Sequence, residues 1–134
     1  MQNESYAQQS KGKRGLRRII KAAGYSKDGF GAAYHYESAF RQLVWLNGGL
    51  IILVFVLDFG PASRMMLITA SFISLIVELI NTAIEAAVDH TSMAKNELAK
   101  RAKDAGSAAQ TLALGLLVVL WLMSLWREYG LNLF

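Results

Sequence analysis

The chain has 134 residues, 54% of them hydrophobic, with a mean hydropathy of +0.30 and a net charge of +4. The length fits one domain, and the apolar content is too high for an ordinary soluble one. One Pro and no Cys exclude disulfides and thiolate metal sites.

Residues 1–12 are polar without an apolar period and read as a disordered tail; 13–134 read as a single membrane domain. Leu16, Ile19, Ile20 and Ala23 then recur at i, i+3, i+4, i+7, with Arg17, Arg18 and Lys21 between them. This predicts an amphipathic surface helix over 15–24, its basic side chains against anionic headgroups and Gly24 as its stop. A solvated basic helix is the plainer alternative, and three apolar segments downstream weigh against it.

In "GFGAAYHYESAFRQ", the small residues Gly31, Ala32 and Ala33 allow close approach of helices or lipid. Glu37 and Arg41 stand at i, i+4 and, by spacing alone, read as a surface ion pair at the membrane edge. Three stretches then reach the ~20 apolar residues that span a bilayer. They are 43–59, 65–88 and 107–126. Asn47, Gly48 and Gly49 in the first read as packing residues, with Asn47 bonding to a neighbouring helix. "LDFGPA" contains the Asp-Phe-Gly of protein kinases, but has no Gly-rich or catalytic-loop motif near it. It reads as a turn bent by Pro61. No G-x-x-x-x-G-K-S/T phosphate loop occurs.

Twelve of the fourteen Lys and Arg residues precede the first span or lie between the second and third; only Arg64 and Arg127 do not. Lys/Arg excess marks cytoplasmic segments. The N-terminus and second loop are therefore expected in the cytoplasm, and the C-terminus outside.

The second span ends in "VELINTAIEAAVD", which carries three carboxylates and an Asn. At about 100° per residue, Glu78, Asn81, Glu85 and Asp89 fall within roughly 80° of one helix face. A carboxylate at bilayer depth is costly and points to function. Several on one face suit a hard cation, and Mg²⁺ is held by one or two carboxylates plus substrate phosphates. Burial makes a carboxylate readier to take a proton, so Glu78, the deepest, is the candidate base and Glu85 the better metal ligand. A helix-packing or oligomerisation stripe is the bland alternative. In the loop "KRAKDAGSAA", Lys103 could hold phosphate oxygens and Asp104 a metal or a nucleotide hydroxyl. A proton or ion pathway would need polar residues across the whole bilayer. The outer halves of spans two and three are expected to be apolar, which favours a site at one interface.

"ELINTAIEAAVD" resembles the signature of the prokaryotic diacylglycerol kinases, E-x-L/I/V/M-N-S/T-S/A-L/I/V-E-x-x-V/I-D, and fits every position. "RIIKAAGYS", "ESAFRQ" and "RAKDAGSAA" resemble further blocks of that family. The resemblance covers Leu16 to Trp126. It implies an all-α integral membrane protein of the bacterial inner membrane, with a surface helix and three spans, assembled as a homotrimer with shared sites and no nucleic-acid partner. It implies transfer of the γ-phosphoryl group of MgATP to diacylglycerol, giving phosphatidate, with Glu78 as catalytic base. Glu37 and Glu85 would bind Mg²⁺ and ATP, so Glu37 takes a functional reading here. Arg18, Tyr25, Ala94, Lys95, Asn96, Lys103 and Asp104 would lie on the nucleotide. Arg18, Ala22, Ala23, Gly24, Tyr25, Ser26, Ala39, Phe40, Arg41, Glu78, Ser107, Trp121 and Trp126 would line the lipid, and Asn81 and Asp89 would support the site. His90 stands where some relatives carry Arg, and Leu43 where some carry a carboxylate. A sister branch phosphorylates undecaprenol; "RIIKAAGYS" resembles the diacylglycerol branch more closely.

Overall fold

A computed structural model of the chain describes residues 2–91 and 96–130, with side chains from residue 14 onward. The chain divides into two units, Met1–Tyr36 and Glu37–Phe134. The first is one helix, α1, Gln2–Tyr36. It corrects two expectations. Residues 2–12 are helical instead of a disordered tail, and the helix continues through Gly24 instead of stopping there. Glu, Gln, Lys, Arg and Ala are strong helix formers, and one Gly costs only about 1 kcal/mol. Leu16, Ile19 and Ile20 are all exposed on α1.

The second unit contains α2 (Ser38–Val56), α3 (Pro61–Thr91) and α4 (Glu97–Tyr129). Each is long and apolar enough to cross a membrane, and no strand occurs among the described residues. Their boundaries follow local chemistry. Glu37 is extended and precedes α2, its carbonyl accepting from Arg41 N at 3.1 Å. α2 stops at Val56, so Phe59 lies in the turn rather than in the expected span. Pro61 opens α3, where a missing N–H costs nothing. Asn96 caps α4, its side chain accepting from Leu98 N at 2.9 Å. The expected loop "KRAKDAGSAA" is the start of α4, because its Ala, Lys and Arg favour a helix.

The helix α3 packs against both α2 and α4. Contacts at both ends make α3 and α4 antiparallel: Gly60 meets Glu128 at the turn end, and Asp89 meets Lys103 at the loop end. The turn end holds the apolar core of Val54, Phe59 and Leu67, joined by Leu57, Ile68, Leu120 and Trp121. Phe59 lies edge-on to Trp121 and Tyr129, each at 5.8 Å between ring centroids. Glu128 accepts from Gly60 N at 3.2 Å and Ser63 Oγ at 3.1 Å. A side chain of α4 thereby satisfies donors at the start of α3, where helical N–H groups lack partners of their own.

Midway along, a polar level ties all three helices together. Asn47 donates to Ser74 Oγ at 3.0 Å and to Leu43 O at 2.9 Å. Gln110 donates to Ser74 O at 3.3 Å, and Ser74 Oγ donates to Ser71 O at 2.7 Å. The expected hydrogen bond from Asn47 to a neighbouring helix is therefore present.

Candidate active site

One turn beyond Ser74 on α3, towards the loop end, stands Glu78, at 7% exposure. Asn81 and Glu85 follow, half-buried, and Asp89 is exposed. The stripe thus grades from protein interior to surface along one helix face. Asn81 Nδ2 donates to Glu85 Oε1 at 3.4 Å. The Asn81 oxygen lies against Gly106 of α4, where an added Cβ would come within 2.3 Å of it. Gly106 is therefore the space that Asn81 occupies, and a side chain there would displace the amide that faces Glu85.

At the exposed end, Lys103 Nζ bonds Asp89 Oδ1 at 2.9 Å. That hydrogen bond and charge hold the Lys103 ammonium above the usual lysine range, so it remains a cation. Asp104 pairs with Lys100 at 2.6 Å, and Glu97 with Arg101 at 2.7 Å. These exposed pairs contribute little stability. They hold a dense set of charges where α4 begins.

Beside Glu78 lies an open cleft of about 410 Å³, walled by Ala39, Gln42, Leu43, Leu46, Gln110 and Leu114. It is apolar apart from Glu78 and two amides, a lining suited to an amphipathic ligand. Leu43, a position noted as a departure, is part of that apolar wall. Glu37 shortly precedes Ala39 of the cleft wall, and Glu85 stands about two turns along the stripe from Glu78. No three acidic or His side chains among the described residues could hold a metal ion by themselves. Two carboxylates suffice when phosphate oxygens complete the shell, so the donor set fits Mg²⁺ brought in with a nucleotide.

A family model for prokaryotic diacylglycerol kinases matches residues 24–125. The chain belongs to the prokaryotic diacylglycerol kinase family. Similarity to individual members of this kinase family runs over most of the chain. A protein named diacylglycerol kinase from Pseudomonas aeruginosa is 51% identical over 111 residues, 83% of this chain and 90% of that one. One from Escherichia coli is 43% identical over 120 residues, 87% of this chain and 95% of that one. One from Helicobacter pylori is 43% identical over 121 residues, 90% and 91% of the two chains. With its three long apolar helices, this family member is a multi-pass membrane protein.

The structure brings together Ala39, Glu78, Asn81, Glu85, Asp89 and Lys103 on one side of the three-helix unit. It does not bring Trp121 or Trp126 there. Trp121 packs in the turn-end core, and on α4 the two stand roughly 16 and 24 Å beyond Gln110. Phe40 is buried, Arg41 half-buried, and Ser107 exposed beside Gly106. Asn96, expected at the nucleotide, caps α4. Arg18, Ala22, Ala23, Gly24, Tyr25 and Ser26 are exposed on α1, with Ser26 Oγ donating to Ala22 O at 3.0 Å. Ala94 and Lys95 lie outside the described residues.

Sequence reasoning missed Ser71, Ser74 and Gln110, all buried. The polar stripe does not end at Glu78 but continues about two turns further to Ser71. The same helical wheel places Ser74 and Ser71 at roughly −40° and +20° from Glu78, so extending it would have found them. Leu67, Val54 and Phe59 then close the path, which still stops short of the far end. Gln110, a single amide in an apolar run, gave no such signal.

Proposed function

We propose that this chain is an ATP-dependent diacylglycerol kinase of the bacterial inner membrane, working as a homotrimer with shared sites. The observation that carries the reading is a buried carboxylate, Glu78, lining an apolar cleft beneath a charged helix edge, within the family's signature. The lipid hydroxyl lies at Glu78, with its chains along the apolar surfaces towards Trp121 and Trp126. ATP lies at Lys103, Asp104 and the loop end; the family resemblance assigns Arg18 and Tyr25 of α1 to ligand binding.

Phosphoryl transfer needs positioning and charge neutralisation more than covalent chemistry. The lipid oxygen forms a bond to the γ-phosphorus, the bond to the β–γ bridging oxygen breaks, and ADP leaves. The hydroxyl proton passes to Glu78. Glu85, oriented by Asn81, and Glu37 would hold Mg²⁺, which when bound neutralises charge on the phosphates. Lys103, oriented by Asp89, binds phosphate oxygens as a point charge.

The split of basic residues supports a cytoplasmic N-terminus and α3–α4 loop, with the C-terminus in the periplasm. The exposed Leu16, Ile19 and Ile20 support α1 as an interfacial helix.

The test is purified protein with labelled ATP, diacylglycerol and undecaprenol in one membrane. Labelled phosphatidate is expected; label on undecaprenol alone, or on neither, sinks the reading. In the same assay Glu85→Gln is expected to raise the Mg²⁺ concentration needed for half-maximal rate. For orientation, a single Cys at Glu97 should react with an impermeant reagent only from the cytoplasmic side.

A further inference from the structure

Two amides hold the Ser74 level, and they differ in one respect. Asn47 spends both hydrogens of its NH₂ group, on Leu43 O and Ser74 Oγ. It does not line the cleft. Gln110 has one known bond, to Ser74 O at 3.3 Å, and it does line the cleft beside Glu78. A peptide carbonyl can only accept, so the nitrogen of Gln110 must face it. One N–H is thereby used and a second remains. The Gln110 oxygen is fully buried without a partner among the described residues. The residue keeps 8% of its surface exposed, and that remainder is not its oxygen. The polar group it can offer the cleft is the second N–H.

A lipid whose hydroxyl reaches Glu78 must lay its next atoms between Gln110 and the walls of Leu43, Leu46 and Leu114. In an ester-linked glycerolipid those atoms include ester carbonyls, which accept hydrogen bonds and bring no donor. In an isoprenoid alcohol they are hydrocarbon, and the N–H is left unpaired in a desolvated place. A site built to donate a bond discriminates against an analogue that lacks the acceptor. We propose that Gln110 is a specificity-determining residue, its free N–H donating to an ester carbonyl of the bound lipid and so selecting ester-linked glycerolipids. This rests on the lipid-kinase reading above.

The experiment compares kcat/KM of the full chain in bilayers for 1,2-diacylglycerol, a 1,2-dialkylglycerol of equal chain length, and undecaprenol. Ether oxygens accept poorly, so the wild type is expected to favour the diacyl lipid by roughly tenfold, the worth of one neutral hydrogen bond. Gln110→Met should lose that factor on the diacyl lipid, change little on the dialkyl lipid and bring the ratio near one. Asn47→Leu loosens the same helix level without facing the cleft, and should lower thermal stability while leaving the ratio unchanged. A wild type indifferent to ester and ether overturns the proposal without any variant. So does Gln110→Met with the ratio intact, or Asn47→Leu collapsing it equally. A wild type that phosphorylates no glycerolipid instead fails the underlying function, an outcome separate from loss of ester preference.

Discussion

At the turn end, Glu128 accepts from two donors and the rings of Phe59, Trp121 and Tyr129 pack edge to face. At the loop end, the Glu78 carboxylate is as buried as the residues of a core, yet lines an open cleft. A charge held in a desolvated place is costly unless something pairs with it. The first arrangement spends Glu128 and the three rings on contacts within the bundle, although Trp121 Nε1 stays buried without a partner among the described residues. The second sets the Glu78 carboxylate against an open cleft, with Asn81 and Glu85 further along the same helix face, and so has something to offer a ligand. The contrast separates the part of the bundle that holds it together from the part proposed to act.

The largest expected effect breaks that contrast at Glu78. Glu78→Gln keeps size but cannot take the proton, and turnover should fall by roughly 10²–10⁴-fold. Nucleotide binding should survive, and thermal stability should hold or rise slightly, since a costly charge is removed. Near-normal turnover would make Glu78 a packing residue. Loss of assembly with loss of activity would favour a structural stripe.

Phe59→Ala should do the reverse. It empties the turn-end core at about 3–5 kcal/mol, read by unfolding from detergent, while the folded fraction keeps its kcat and Mg²⁺ dependence. A changed Mg²⁺ dependence would show that the two ends are coupled.

Gly106→Ala tests whether packing at the loop end serves the site. The clash with Asn81 should cost about 1–3 kcal/mol and raise the Mg²⁺ requirement through Glu85. Adding Asn81→Ala should restore stability but not the Mg²⁺ requirement. Additive losses in the double variant would remove Asn81 from the link.

The smallest effect is at Glu128. Glu128→Gln keeps one acceptor and loses the charge, for about 1 kcal/mol at most. Unfolding should shift slightly and turnover should not. A fall in turnover would mean that the turn end is not purely structural.

The sequence by itself determined the helical class, the three spans and the stripe from Glu78 to Asp89. Apolar length and helical period are local properties, and both are written in residue order. It misjudged α1 and the start of α4, since helix propensity carried both through stretches that looked like tail and loop. Only the tertiary structure decided which neighbours face the stripe. That Asn47 and Gln110 meet at Ser74, that Gly106 leaves room for Asn81, and that Trp121 packs far from Glu78 depend on how α2 and α4 are rotated and staggered against α3. No periodicity within one helix encodes that rotation. It is set by which surfaces of separate helices interlock, with small residues admitting polar ones and Leu67, Val54 and Phe59 closing the far end.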